Sequence, residues 1–298
     1  MFLTKLKAAV IILICCSGIS WATIKVVTAL DDFASIANSI GGDLVSVESL
    51  VSGSKNMHYI KARPSMILKL KDADLLIRLG MDQDKWIDGL IHVAKNPTVF
   101  PNKVGYLDAS KAIDKLEVPT QNVSAAMGDT HILGNSHYWL SPYNGIVIAR
   151  SICDHLIQIS PKDKSIFENN YTVFVNELNS NISKWKSKIA PLKSYKFITY
   201  HKVWPYFFQA FDLTTIGELE PLPGIRPTTK HLLKLEKNIN STDAKIIVLT
   251  ANFYSNTIGK KFAKKIDASF VSASTNVGDE NISNYFELFD SIINELLK

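Results

Sequence analysis

Short runs rich in Ile, Val and Leu alternate along the chain with longer stretches whose apolar residues return every three or four positions. The first pattern predicts strands over 24–30, 44–51, 75–79 and 104–107, and again over 197–200, 214–219, 246–250 and 269–271. The second predicts helices over 31–40, 63–71 and 83–94, then over 204–211, 228–238 and 257–266. A strand–helix alternation of this kind belongs to parallel sheets covered by helices on both faces. The expected fold class is therefore α/β, with two similar lobes that each carry a four-stranded, mainly parallel sheet.

Residues 161–189 contain no Gly and no Pro after the first position. Phe167, Tyr171, Phe174, Leu178, Ile182, Trp185 and Ile189 follow at steps of three or four, which puts all seven on one helical face. Ser160 suits the N-cap, Pro161 the first turn, and Pro191 the stop. At ~1.5 Å per residue such a helix is a rod of roughly 40 Å, long enough to join the lobes rigidly. The expected division is 23–160 for the first lobe, 161–190 for the linking helix and 191–298 for the second lobe.

The N-terminus reads differently from the rest. Lys5 and Lys7 precede a short apolar stretch from Ala8 to Cys16, and Ser20-Trp21-Ala22 has the small-x-small form of a cleavage site. Residues 1–22 are expected to be a signal peptide, too short to span a bilayer, and the protein periplasmic or otherwise extracytoplasmic. Ile14 and Cys15 stand where a lipid-attachment site wants a small residue, which argues against a lipid anchor. Cleavage would leave Cys153 as the single thiol, expected to be buried and inert.

Composition narrows the function further. Of the 298 residues 46% are hydrophobic and 20% charged, ample for packed cores and unlike a disordered chain. A net charge of +5, without a basic run interleaved with aromatics, excludes a nucleic-acid interface. Three cysteines supply neither a disulfide framework nor a CxxC zinc cage. The histidines remain.

Ligands of open parallel α/β sheets bind beyond the carboxyl ends of the strands. His58 follows the second predicted strand, His137 lies in the loop after the fourth, and His201 directly follows the strand at 197–200. Glu220 closes the strand at 214–219 and leads into Pro221-Leu222-Pro223-Gly224. Three neutral imidazoles and one carboxylate, two groups from each lobe, suit a tetrahedral Zn²⁺. Glu218, His131 and Asp279 are second choices for the fourth position, and water is another. His92, His155 and His231 fall on predicted helices and read as surface residues.

The segments around these histidines carry a resemblance. His58-Tyr59-Ile60-Lys61-Ala62-Arg63-Pro64-Ser65, Gly134-Asn135-Ser136-His137-Tyr138-Trp139-Leu140-Ser141-Pro142 and Tyr200-His201-Lys202-Val203-Trp204-Pro205 resemble the ligand motifs of one family. These are the zinc- and manganese-binding solute-binding proteins of bacterial ABC importers. Gly217-Glu218-Leu219-Glu220-Pro221-Leu222-Pro223-Gly224 is similar to a loop of one branch of it. The resemblance implies two lobes bridged by one rigid helix, metal between them, and delivery to a membrane permease. Two departures stand out: Asn56-Met57 replaces the usual Asp-Pro before the first His, and Ser141-Pro142 replaces Asp-Pro after the second motif. Each removes a carboxylate able to steady a His ring.

The expected function is capture of Zn²⁺, with Mn²⁺ or Fe²⁺ as competing cargo, by a monomer that serves an ABC permease and catalyses nothing. Binding requires neutral imidazoles, so affinity is expected to fall as pH drops through the His range near ~6.5. Two rivals stay open: an adhesin or metal chaperone on the same fold, and a three-His zinc hydrolase, for which no HExxH motif is present.

Overall fold

The computed structural model describes residues 23–53, 55–121, 128, 131–239, 243–279 and 281–298. The expected signal peptide lies outside the described residues. Among them, no helix is long and apolar enough to cross a membrane.

The first half runs β1 (Ile24–Leu30), α1 (Asp31–Gly41), β2 (Val45–Val51), α2 (Pro64–Lys71), β3 (Leu75–Arg78), α3 (Trp86–Ala94) and β4 (Tyr106–Asp108). Next come α4 (Pro142–Ile159) and α5 (Lys164–Ile189). The second half runs β5 (Lys196–Thr199), α6 (Pro205–Phe211), β6 (Thr214–Glu218), α7 (Thr229–Ile239), β7 (Ile246–Ala251), α8 (Asn256–Lys265), β8 (Ser269–Ala273) and α9 (Tyr285–Leu296). The sheets have orders β2-β1-β3-β4 and β6-β5-β7-β8, and every strand pair is parallel. All eight predicted strands form, in two sheets of one topology. Each order reverses beside its first strand, which opens a crevice at the carboxyl ends.

The long helix is also present, with its start altered. Pro161–Asp163 forms a separate 3-10 turn, and the α-helix begins at Lys164. Of the seven apolar positions six are buried, and Tyr171 is half-buried beneath the Arg150 guanidinium, 4.6 Å from its ring centre. That face meets α1 and α4 on one side and α9 on the other: Phe174 packs on Phe286, and Trp185 packs on Phe289 while donating to Asp290 Oδ1 at 2.9 Å. One rod thus packs on helices from both halves.

Two elements depart from the sequence expectation. Helix α3 starts at Trp86, not at residue 83, because residues 80–85 make a tight turn in which Met81 and Asp82 take φ of 52° and 62°. Buried Asp84 fixes that turn, accepting from the Arg78 guanidinium (2.8 and 3.1 Å) and from the backbone N–H groups of Leu79 and Gly80. Helix α9 has no counterpart among the predicted elements. It buries Tyr285, Leu288, Phe289, Ile292, Ile293 and Leu296. Its Tyr285 ring lies so close to Gly145 of α4 that a Cβ there would sit 2.5 Å from it. Cys153 is buried in α4, where burial pushes its thiol up to about 11, so it is held as the protonated, unreactive form.

The halves meet along a polar seam beneath the crevice. Asp32, buried in the first turn of α1, accepts from Asn276 Nδ2 (2.9 Å) and from the Val277 N–H (3.1 Å) of the loop after β8. Trp139 Nε1 donates to the Thr275 carbonyl at 2.8 Å, and Tyr285 donates its hydroxyl to the Trp139 carbonyl. Burial pushes the Asp32 carboxyl up to about 7 despite those two donors. Between its unfolded value near ~3.9 and about 7 the native state therefore holds more proton than the unfolded chain. Its contribution is complete below that window and is lost as pH rises through it. Unfolding titrations of wild type and Asp32→Asn at pH 4, 5, 6 and 7 should differ in slope, wild type losing up to roughly 1.4 kcal/mol more per pH unit. Parallel curves would refute this.

Candidate metal centre

His58 sits in a 3-10 turn, Met57–Tyr59, that caps the path from β2 to α2. Asn56 starts the turn: its side-chain oxygen accepts from the His58 N–H at 3.0 Å, and its amide donates to the Tyr254 hydroxyl of the second half at 3.3 Å. His137 immediately precedes the 3-10 turn Tyr138–Leu140, whose three large side chains are all buried. Tyr138 holds this turn by donating its hydroxyl to the Leu79 carbonyl at 2.7 Å. His201 follows β5, buried beside Tyr254 with ring centres 6.0 Å apart.

These three positions, 58, 137 and 201, converge. One donor nitrogen from each lies within 4.8 Å of the others. They line a cleft of roughly 440 Å³ together with His131, Glu218, Glu220, Glu117, Asn135 and Lys202. Two of the three come from the first half and one from the second, so the cleft lies between the sheets.

The ring nitrogens divide by role. His201 Nδ1 is 2.7 Å from Glu220 Oε2, which also accepts from the Gly224 N–H at 2.9 Å. His137 Nδ1 is 3.1 Å from Asn135 Oδ1, which also accepts the His137 backbone N–H at 2.9 Å. With Nδ1–H donated in each case, Nε2 is left with its lone pair for a ligand. Nε2 of His58 is buried with no hydrogen-bond partner among the described residues. A buried lone pair of this kind is costly unless something else satisfies it, and a cation does.

Electrostatics favour the uncharged rings. Burial, and then the nearby His201 and His131, pull His58 down to about 3. Burial, followed by the other three histidines, pulls His137 well below the usual imidazole range. The expectation of lost affinity near pH 6.5 therefore does not apply to these two rings, which stay neutral well below it. Burial raises Glu218, partly offset by Lys202.

The other candidates fall out as follows. Glu220 is at the site, on the Nδ1 edge of His201. Glu218 lines the same cleft, and His131 stands beside His58 with ring centres 5.2 Å apart. Asp279 is elsewhere, bonded to Asn252. His231 is not a plain surface residue: its Nε2 is 2.8 Å from the Glu218 carbonyl.

Asn135 was invisible to spacing arguments. Its amide nitrogen donates to Glu117 Oε2 (2.9 Å) and to the Lys202 carbonyl (2.7 Å), while Lys202 Nζ reaches Glu117 Oε1 at 2.7 Å. It therefore ties the His137 ring to the residue following His201. The one local signal is an Asn two residues before a His, the form of an Asx turn. Gly134 before it has φ +98°, and a Cβ there would meet the Leu116 carbonyl at 2.7 Å.

Two parallel sheets with a histidine-lined cleft between them define an α/β solute-binding protein with a metal site. The family described as "Zinc-uptake complex component A periplasmic" matches residues 26–298, and the chain belongs to it. Its members are substrate-binding components of metal ABC transporters and do not catalyse, which sets the hydrolase reading aside. The metal ABC transporter substrate-binding lipoprotein FimA of Streptococcus parasanguinis is 26% identical over 279 residues, 91% of this chain and 82% of that protein. The high-affinity zinc uptake system protein ZnuA of Yersinia pestis is 25% identical over 230 residues, covering 73% and 72%. The fold is shared with a Cd-bound periplasmic metal binding protein from Candidatus Liberibacter asiaticus, at TM-score 0.75, 16% identity and coverage of 92% and 98%. It is shared equally with a mutant of the laminin-binding adhesin Lmb of Streptococcus agalactiae, at TM-score 0.76, 20% identity and the same coverage.

If Asn135 and Glu220 hold the two rings, replacing them should weaken metal binding without unfolding the protein. Asn135→Ala and Glu220→Ala should each cost roughly 10–100-fold in affinity by chelator competition. Glu220→Gln, which keeps an acceptor for Nδ1–H, should cost less than Glu220→Ala. Equal losses for Gln and Ala would refute the orienting role.

Proposed function

We propose that the protein captures Zn²⁺ outside the cytoplasm through His58, His137 and His201 and delivers it to an ABC permease. The observation that supports this best is the convergence of three imidazole nitrogens, drawn from both halves, within 4.8 Å. Nitrogen donors favour Zn²⁺ over Mn²⁺ and Fe²⁺ by the Irving–Williams order, which leaves those two as weaker cargo. Glu220 enters this reading as the group that orients His201. All three ligands come from one chain, so a monomer suffices. Export by way of residues 1–22 would bring it to the compartment where such permeases are fed, and the lobes would span 23–160 and 191–298 about the helix at 161–190.

Competitive titration of the purified protein with Zn²⁺, Mn²⁺ and Fe²⁺, followed by elemental analysis, tests the reading. One equivalent of zinc should bind, and His58→Ala, His137→Ala and His201→Ala should each abolish tight binding. Zinc at a thousandfold excess over Kd should stabilise wild type by about 4 kcal/mol. Retained one-to-one zinc in all three variants would end the proposal.

The rod through α5 resists wide hinge bending, so capture proceeds with small lobe adjustments. Solution scattering of metal-free and zinc-loaded protein should give nearly superimposable curves. A large hinge rotation on loading would contradict this.

A further inference from the structure

We propose that His131 is the fourth metal ligand, so that the ion is enclosed by four imidazoles. The inference rests on the reading of His58, His137 and His201 as ligands and completes it. Three nitrogens leave one corner of a tetrahedron open. Of the candidates that line the cleft, Glu220 contacts the His201 ring and His131 the His58 ring.

Glu220 is already committed. Its Oε2 receives both the His201 Nδ1–H and the Gly224 N–H, at 2.7 and 2.9 Å. Moving it onto the ion would strip His201 of the group that fixes its tautomer, and leave the Gly224 N–H to find another acceptor. The carboxylate serves the metal better from behind the ring.

His131 stands beside the cluster, its ring stacked on that of His58, while the donor atoms within 4.8 Å of one another are those of His58, His137 and His201. Two imidazoles bound through nitrogen at 2.0–2.1 Å to one tetrahedral ion have ring centres about 5 Å apart. The His58–His131 separation is 5.2 Å, the same as His58–His201. His58–His137 and His137–His201 are wider, at 5.9 and 6.0 Å. By this measure His131 lies as close to His58 as His201 does.

Its backbone is also tied to the cluster. The His131 carbonyl accepts the Gly134 N–H at 3.2 Å, and the next N–H, of Asn135, donates to the Leu116 carbonyl at 2.8 Å. Asn135 in turn holds His137. One short loop therefore presents both imidazoles, and a change of the His131 rotamer is the movement that the proposal requires.

A shell of four neutral nitrogens carries no anionic donor, so it selects by softness. It suits Zn²⁺ and penalises the oxygen-preferring Mn²⁺ more than a three-His, one-carboxylate shell would. His131 thereby becomes the residue that sets cargo specificity.

Zinc K-edge X-ray absorption on the purified wild-type protein loaded with one equivalent should fit four imidazole donors. His131→Ala should fit three imidazoles and an oxygen. Its zinc affinity should fall by more than the ~10–100-fold typical of removing a ring-orienting partner. Its Mn²⁺ affinity should change less, so the zinc-to-manganese preference shrinks. Glu220→Gln should keep all four imidazoles. A wild-type spectrum with three imidazoles and a carboxylate, or an unchanged zinc affinity in His131→Ala, would overturn the assignment. The wild-type spectrum needs no variant to fold. Loss of zinc in His58→Ala alongside an unaffected His131→Ala would sink this inference alone; zinc retained in both would sink the site itself.

Discussion

Three donor nitrogens held within 4.8 Å of one another form a place where a proton on one ring repels a proton on the next, and where burial repels protons from His58 and His137. The fold accepts that arrangement without a compensating anion inside the triangle. It places the compensation one bond further out, with Glu220 behind His201 and the neutral Asn135 behind His137. The result is a set of lone pairs aimed inward, including the unpartnered Nε2 of His58, that only a cation satisfies well. A proton can satisfy at most one of them, whereas a divalent ion satisfies all at once. Selectivity for a metal over protons follows from that count.

Keeping the nitrogens aligned requires the two sheets to hold a fixed distance, and the polar seam serves this as much as the apolar core does. The main core is continuous from the first sheet through α1, α4, α5 and α9 to one face of the second sheet; a smaller core fills the opposite face, under α7 and α8. Apolar packing alone would tolerate sliding. The Asp32–Asn276 and Trp139–Thr275 hydrogen bonds are directional, and both connect α1 or the His137 turn to the loop after β8. Because Trp139 lies two residues from His137, with ring centres 5.4 Å apart, the seam and the site share one rigid segment.

Strand positions and the linking helix were readable from the sequence because burial on both faces, or on one helical stripe, writes a periodic signal. Boundaries failed where a single polar side chain overrode the pattern: Asp84 rebuilds residues 80–85 as a turn, although the local sequence continues a helical spacing. Helix α9 escaped notice although Tyr285, Leu288, Phe289, Ile292, Ile293 and Leu296 mark a clear face. The histidines were legible as a group because parallel sheets send their carboxyl-end loops to one edge. What spacing could not supply is which atom of Glu220 meets which ring nitrogen, and that Asn135 faces Lys202 across the cleft. Those depend on side-chain rotamers in the closed structure, and Asn56 and Ser141 misdirect the eye further by standing where the family keeps carboxylates.

On the function proposed above, the geometry that captures the ion also makes its release a matter of small motion. Zinc–nitrogen bonds have preferred lengths of about 2.0–2.1 Å, and displacing a ligand from them weakens the site. His201 is carried by the second half, while His58 and His137 are carried by the first, so an ion held by all three would bridge the halves. A permease that tilts one half by a fraction of a bond length therefore need not open the cleft to loosen the ion. Asn135 is placed to transmit such a tilt, since its amide is bonded to the Lys202 carbonyl, adjacent to His201, and its oxygen to His137. Strain on the first bond turns the ring at the second, and two ligands are disturbed by one displacement. On that reading a stiff α5 serves delivery as well as capture, by limiting how far the two halves move apart.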